Sequence, residues 1–111
     1  MGINISVQKL IGKEMVECHH PEELVPFYKI ERQDWFDSCR HSGDRDFIMN
    51  NDFKYLDEDV DSFEQSLMRP VDLDAALEWV RKNIYEGNQA RLIEVLEKMR
   101  EDETLVFTCS W

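Results

Sequence analysis

Several features by which protein classes are recognised are missing from this sequence. No apolar run approaches the ~20 residues that a helix needs to span a bilayer. No basic stretch followed by an apolar one opens the chain, so we expect no secretory signal. Low-complexity segments, internal repeats and linkers rich in Pro, Gly or Ser are also missing. In a chain of 111 residues, these absences predict one domain over residues 1–111, located in the cytoplasm and without a membrane contact.

Glycine and cysteine are scarce as well. The four glycines, at positions 2, 12, 43 and 87, are too scattered to form a phosphate-binding loop. Three cysteines without an export signal favour reduced thiols over a disulfide framework. None of them opens a clear helix or lies in a nucleophile motif, and the pattern of the last strand places Cys109 in the core. We therefore predict that the protein is not an enzyme.

One group of residues has the composition of a zinc site but not its spacing. Structural zinc ligands usually come in pairs separated by two to four residues, so that a turn can wrap the ion. Only Cys39 and His41 approach that spacing, whereas Cys18 and His19 are adjacent and His20 follows them directly. The sequence therefore predicts no zinc site.

A calcium loop fails in a similar way. Asp57, Asp59 and Asp61 stand at positions 1, 3 and 5 of a candidate loop. Position 6, which requires Gly, is Ser62, and position 12, which requires a bidentate Glu, is Met68. Carboxylates here suit the start of a helix, whose dipole they complement. We expect no metal and no other cofactor.

Basic residues are outnumbered, since 13 Lys and Arg face 24 Asp and Glu for a net charge of −11. Residues 57–111 carry most of this excess, with six basic and fourteen acidic side chains. Direct nucleic-acid binding usually rests on a basic surface, so we do not expect it. The acidity either only keeps the chain soluble or faces a basic protein partner. In the second case the predicted partner-binding residues are Asp57, Glu58, Asp61 and Glu64.

Both ends of the chain show the alternation of a half-buried strand. Apolar and polar residues alternate over residues 3–8 and again over residues 104–110. We expect both strands in one sheet.

The clearest helical pattern lies between them. Apolar residues recur at helical spacing over residues 73–84 and 89–100, which predicts two antiparallel helices joined by a short turn. Asp72 is a good N-cap for the first helix. Gly87 suits a left-handed residue that ends it, and Asn88 suits the cap of the second.

Two further elements have weaker patterns. Residues 60–68 favour a short helix, and residues 46–55 include a candidate strand. Together the patterns predict an α+β fold, in which a small sheet containing the N- and C-terminal strands packs against a C-terminal helical hairpin.

Residues 34–47 combine aromatic side chains, two arginines and four aspartates in an irregular segment. Arginine and tryptophan bind ligands through hydrogen bonds and stacking, so Trp35, Arg40 and Arg45 form a candidate binding surface. Alternatively, the two arginines pair with neighbouring aspartates and hold the segment in shape. The sequence leaves both interpretations open.

Five short motifs stand out, two of them within residues 34–47: the N-terminal Asn4-Ile5-Ser6, then Asp34-Trp35, Gly43-Asp44-Arg45-Asp46-Phe47, Arg69-Pro70-Val71-Asp72 and the terminal Ser110-Trp111. In these motifs the chain resembles a loose group of small, uncharacterised acidic proteins of bacteriophages and prophages. The resemblance implies a phage setting, in which small acidic proteins often inhibit host systems, and it brings no activity to this chain.

Two hypotheses follow. In the first, this is a non-catalytic, phage-encoded interaction protein in the host cytoplasm, which inhibits a host defence or nucleic-acid-handling protein that has a basic surface. In the second, the chain sequesters a nucleotide-type signal. That role requires Arg40, Arg45 or Arg69 to meet Trp35 and Asp44 at one pocket, because phosphates in an acidic protein need local positive charge.

Overall fold

The computed structural model describes residues 4–17, 24–36, 41, 43–56 and 67–110. The described elements form an α+β fold with helices on one face of an antiparallel sheet. In chain order they are β1 (Asn4–Glu17), β2 (Leu24–Arg32), α1 (Asp44–Asn50), β3 (Phe53–Tyr55), β4 (Leu67–Pro70), α2 (Leu73–Asn83), α3 (Glu86–Glu101) and β5 (Leu105–Ser110).

The sheet has the strand order β2-β1-β5-β4-β3, so β5 is the central strand and β1 is one of its two neighbours. These two strands pair antiparallel from Asn4 opposite Ser110 to Lys9 opposite Leu105. The prediction that both terminal strands share one sheet is therefore confirmed, and they are direct neighbours. Alternate residues of the pair turn toward the helices, where Ile5, Val7 and Phe107 are fully buried; these and their neighbours form the core.

The predicted helical hairpin is also confirmed, but its turn is not. The Asp72 side chain accepts a hydrogen bond from the Ala75 N–H at 3.1 Å and caps α2 as expected. Gly87, however, lies inside the first turn of α3, and Tyr85 is the N-cap of that helix. The physical reason is Gln89, whose amide donates to Arg81 O and Ile84 O at 3.0 Å each. The Gln89 amide thus bonds to the carbonyls of Arg81 and Ile84 at the end of α2. A left-handed glycine at the end of a helix would instead allow backbone N–H groups to bond to such carbonyls.

A strand does lie within residues 46–55, at Phe53–Tyr55, but the helix α1 occupies the first part of that range. Gly43, with φ of 90°, sets the chain direction before α1. The helix carries Phe47 into the core, where its ring lies 5.5 Å from that of Phe53 and 5.9 Å from that of Phe107.

The candidate helix at residues 60–68 falls mostly outside the described residues. Its last two positions, Leu67 and Met68, belong to strand β4. Both are fully buried.

β1 continues well past the sheet that the helices cover. Leu10 N–H still donates to Thr104 O at 2.8 Å, and the residues of β1 after Leu10 pair with β2 alone in the described part of the chain. We call residues 10–17 and 24–30 the arm; eight strand residues at ~3.3 Å each give a ribbon of roughly 26 Å. The arm accounts for the elongated shape, which measures 50 × 30 × 24 Å. A register shift between Leu10 and Gly12 marks its base, where Ile11 is the extra residue of a bulge.

Candidate functional site

The arm presents apolar side chains that none of the described helices covers. Strand alternation and register place Leu10, Met15, Leu24, Tyr28 and Ile30 on the face turned away from the side of the sheet on which the helices pack. Of this set, Met15 is 52% exposed and Leu24 is 58% exposed. We call this set the apolar face of the arm.

Exposed apolar side chains are concentrated on the arm. Four of the nine large, exposed apolar residues in the described chain lie there: Met15, Leu24, Ile30 and, at the bulge, Ile11. Others occur singly: Met49 lies on α1, and Val71 and Tyr85 lie in the connections that precede α2 and α3. Single exposed apolar residues are normal on a protein surface, whereas a group on one element marks a contact surface.

The two strands of the arm are balanced in charge. Through Arg32 they carry Lys13, Lys29 and Arg32 against three glutamates, and Glu22 and Glu23 connect them in the sequence. Lys29 Nζ lies 3.8 Å from Glu14 Oε2 across the ribbon. A second protein surface can therefore approach the strands themselves without meeting net negative charge on them.

The outer sides of α2 and α3 are not an acidic face. Together the two helices hold six acidic and five basic residues. Acidic and basic side chains pair along each helix and between the two helices, so these outer sides have little net charge. The pairs are Asp74 with Arg100, Glu78 with Lys82, Glu94 with Lys98, and Glu97 with Arg81.

The predicted partner-binding residues, Asp57, Glu58, Asp61 and Glu64, lie outside the described residues. Residues 57–66 contain five carboxylates and no basic side chain, so by sequence they hold nearly half of the excess negative charge.

The described flanks of this acidic segment are held together. Leu56 N–H donates to Leu67 O at 2.9 Å, beside the edge strand β3. Leu67 pairs with Thr108, which pairs with Ser6 near the start of β1. The arm leaves the sheet at the other end, where Lys9 pairs with Leu105. The flanks and the arm therefore lie at opposite ends of the sheet.

Trp35 lies in an open cleft of about 310 Å³ at the base of the arm. Lys98 Nζ lies 4.2 Å from the centroid of the Trp35 ring, and the indole N–H donates to Gln33 Oε1 at 3.1 Å. Glu101 and Asp102 put two carboxylates in the same cleft. The lining residues are Gln33, Trp35, Lys98, Glu101, Asp102 and Leu105.

Asp102 stays charged in this cleft. Its Oδ1 accepts hydrogen bonds from the Thr104 hydroxyl at 2.5 Å and the Thr104 N–H at 2.9 Å, and Lys9 Nζ lies 3.4 Å from Oδ2. The Thr104 hydrogen bonds, with a contribution from Lys9, hold the pKa of Asp102 below its usual value. An anionic ligand in this cleft would therefore meet a carboxylate that is ionised at neutral pH.

Asp44 has an internal role. It is fully buried, and Arg91 Nη1 donates to its two carboxylate oxygens at 2.9 and 3.3 Å. Asn88 Nδ2 donates to Asp44 Oδ1 at 3.1 Å, while the Arg91 guanidinium lies 4.1 Å from the centroid of the Phe36 ring. The cluster joins α1 to α3 and is closed to a ligand of any size.

Arg69 is likewise occupied by the backbone. Its guanidinium donates to Met99 O at 2.8 Å and Asp102 O at 3.2 Å, at the end of α3, and to Leu105 O at 2.6 Å in β5. Burial lowers the pKa of this guanidinium, and Glu103 and Asp102 oppose the effect.

The described members of the proposed ligand set thus have different surroundings. Trp35 lines the cleft, Asp44 is in the interior, Arg69 caps α3, and Arg45 is exposed on α1. Arg40 lies outside the described residues.

The thiol of Cys109 is poorly suited to nucleophilic chemistry. Cys109 is partly buried against the core. Burial, with a contribution from the charge of Asp44, raises its pKa from 9.0 to about 11. Cys18 and Cys39 lie outside the described residues, as do His19 and His20. Within the described part of the chain, no three metal-ligating side chains cluster together.

Comparison with known proteins gives no relative, because no family model, no curated protein and no solved structure matches this chain. Among the described residues, no helix is both long enough and apolar enough to cross a membrane.

Proposed function

We propose that this chain is a non-catalytic protein-binding protein, and that it contacts its partner through the apolar face of the arm. The observation that carries the proposal is the exposure of Met15 and Leu24 on a ribbon none of whose described side chains belongs to the core. A two-stranded ribbon is marginally stable on its own in water. Burial of its apolar face against another protein would remove that surface from water and stabilise the ribbon at the same time.

The acidic segment of residues 57–66 supports a finer form of the proposal. Its carboxylates favour a partner with a basic surface, and they would raise the association rate at low ionic strength. The resemblance to small phage and prophage proteins suggests a host defence or nucleic-acid-handling protein as the target, met in the host cytoplasm. Inhibition by binding is then the expected mode of action.

The proposal is tested by affinity capture from host cells with three forms of the chain. Met15→Ser removes an apolar side chain from the arm, and Met49→Ser makes the same change at an exposed site on α1. The third form carries Glu58→Lys, Asp61→Lys and Glu64→Lys. We expect Met15→Ser to lose a partner that Met49→Ser retains, and the lysine form to weaken capture of the same partner at low salt. Equal capture by all three forms would contradict the proposal.

The second candidate function is the binding of a small anionic ligand beside Trp35. An aromatic ring next to Lys98 in an open cleft is the observation in its favour. Glu101 and Asp102 weigh against it, because two carboxylates repel a phosphate. Calorimetric titration with a panel of nucleotides tests it: heat of binding that Trp35→Ala and Lys98→Ala abolish would favour this function over the first.

A further inference from the structure

The outer edge of β2, on the side away from β1, has backbone hydrogen-bonding groups that face outward. Gln33 N–H donates to Val7 O at 2.9 Å, so this pair is hydrogen-bonded across β1 and β2. In an antiparallel pair, hydrogen-bonded and non-hydrogen-bonded positions alternate. Arg32 and Ile30 therefore direct their N–H and C=O groups away from β1. Leu10, opposite Ile30, fits this alternation because its N–H donates to Thr104 O at 2.8 Å on its other side.

The outward-facing positions of β2 are arranged symmetrically about Ile30, with one on each side of it. Along β2 the alternation adds Tyr28 to the outward-facing positions. Pro26 has no N–H and ends the run on one side. On the other side the strand ends at Arg32, and Asp34 lies in a turn. In the described part of the sheet, β2 has β1 as its only neighbouring strand.

We propose that β2 pairs antiparallel with β2 of a second copy of this chain, with Ile30 opposite Ile30 at a two-fold axis. This register is self-complementary in charge. It places Lys29 opposite Glu31 of the second copy, and Glu31 opposite its Lys29. Tyr28 lies opposite Arg32 in both directions, where an arginine can stack on an aromatic ring. Opposite charges at facing positions stabilise an antiparallel pair, and like charges destabilise it.

The ion pairs that these residues make within one chain do not oppose the association strongly. Lys29 and Glu14 are 3.8 Å apart and more than half exposed, and Arg32 lies 3.6 Å from Asp34, which is 92% exposed. Exposed pairs of this kind contribute little. The arm is also balanced in charge, so two copies can meet here despite a net charge of −11 on each.

The dimer goes beyond the proposed function because it uses the edge of β2 and not the apolar face of the arm. It would join two arms into one four-stranded ribbon and place their apolar faces side by side. Its test uses the purified full-length chain without any other protein, so the dimer and the partner-binding proposal can fail independently.

Sedimentation equilibrium of four samples tests the dimer. Lys29→Glu alone and Glu31→Lys alone each place like charges at both facing positions of a homodimer. An equimolar mixture of the two restores opposite charges at both positions of the heterodimer. Lys82→Glu, on the outer side of α2, is the matched control for a charge reversal.

We expect the wild type and Lys82→Glu to dimerise with the same affinity, and each arm variant to dimerise about tenfold or more weakly. The mixture should recover the wild-type affinity, which a loss of folding could not produce. A wild type that stays monomeric at every concentration would overturn the proposal. So would arm variants that dimerise like the wild type, or a mixture that does not recover.

Discussion

The two halves of β1 show how one strand can serve two purposes. From Asn4 to Lys9 it pairs with β5 and lies under the helices, and Ile5 and Val7 are fully buried there. Beyond the bulge it pairs with β2 alone, and Ile11 and Met15 are more than half exposed. The helix-covered half supplies the stability of the fold. The arm leaves its apolar side chains available for contact.

The largest difference between the two regions should appear in stability. Phe107→Ala removes a fully buried ring that contacts Phe36, Phe47 and Phe53, and it should lower the free energy of unfolding by about 3–5 kcal/mol. Met15→Ala on the arm should change it by less than about 0.5 kcal/mol. Denaturant titration measures both. Similar losses in the two variants would show that the arm belongs to the cooperative core.

A slightly smaller loss of stability is expected when the buried carboxylate of Asp44, which links α1 to α3 through Arg91, is removed. Asp44→Ala leaves the Arg91 guanidinium without its carboxylate in the interior and should cost about 3 kcal/mol. The double variant Asp44→Ala with Arg91→Met removes both charges and should be more stable than Asp44→Ala alone. Denaturant titration again provides the comparison. A double variant less stable than the single one would contradict this account.

Arg69, which bonds to carbonyls at the end of α3, should contribute less to the free energy of unfolding than Asp44 does. Arg69→Met removes hydrogen bonds to three backbone carbonyls and should lower the free energy of unfolding by about 2 kcal/mol. Arg69→Lys keeps the charge but not the planar donors, so it should fall between Met and the wild type. Thermal unfolding of the three proteins tests the order, and a lysine variant as stable as the wild type would refute the geometric role.

The smallest effect concerns Cys109. In a chain with Cys18→Ser and Cys39→Ser, its alkylation by iodoacetamide at pH 9 should be slow, since the raised pKa of about 11 keeps the folded thiol protonated. The unfolded thiol ionises at lower pH, so stability should fall as the pH rises from 9.0 toward 11. Alkylation at the rate of the unfolded chain would contradict the burial of this side chain.

The sequence predicted the elements whose patterns are regular and local. The terminal strands and the two long helices have clear periods, and Asp72 caps its helix through a neighbour three residues away. The arm was missed because the bulge at Ile11 interrupts the alternation of β1. The prediction that Gly87 ends the first helix was wrong, because the side chain of Gln89, five residues past Ile84, bonds to the Ile84 carbonyl.

The candidate site was predicted less well because its contacts span long distances in sequence. Asp44 was expected near a ligand, but its partners Asn88 and Arg91 are 44 and 47 residues away. Arg69 reaches carbonyls 30 to 36 residues away. No local spacing encodes such contacts. The run of apolar residues from Leu24 to Tyr28 was the one signal that could have indicated the arm.

Contact between the arm and a partner is tested most directly by photo-crosslinking in host cells. A photoreactive amino acid replaces Met15 in one form of the chain and Met49 in another, both at exposed positions. The account predicts a covalent adduct with another protein from position 15 and none from position 49. An adduct from position 49 alone, or the same adduct from both positions, would contradict the claim that the arm is the contact surface.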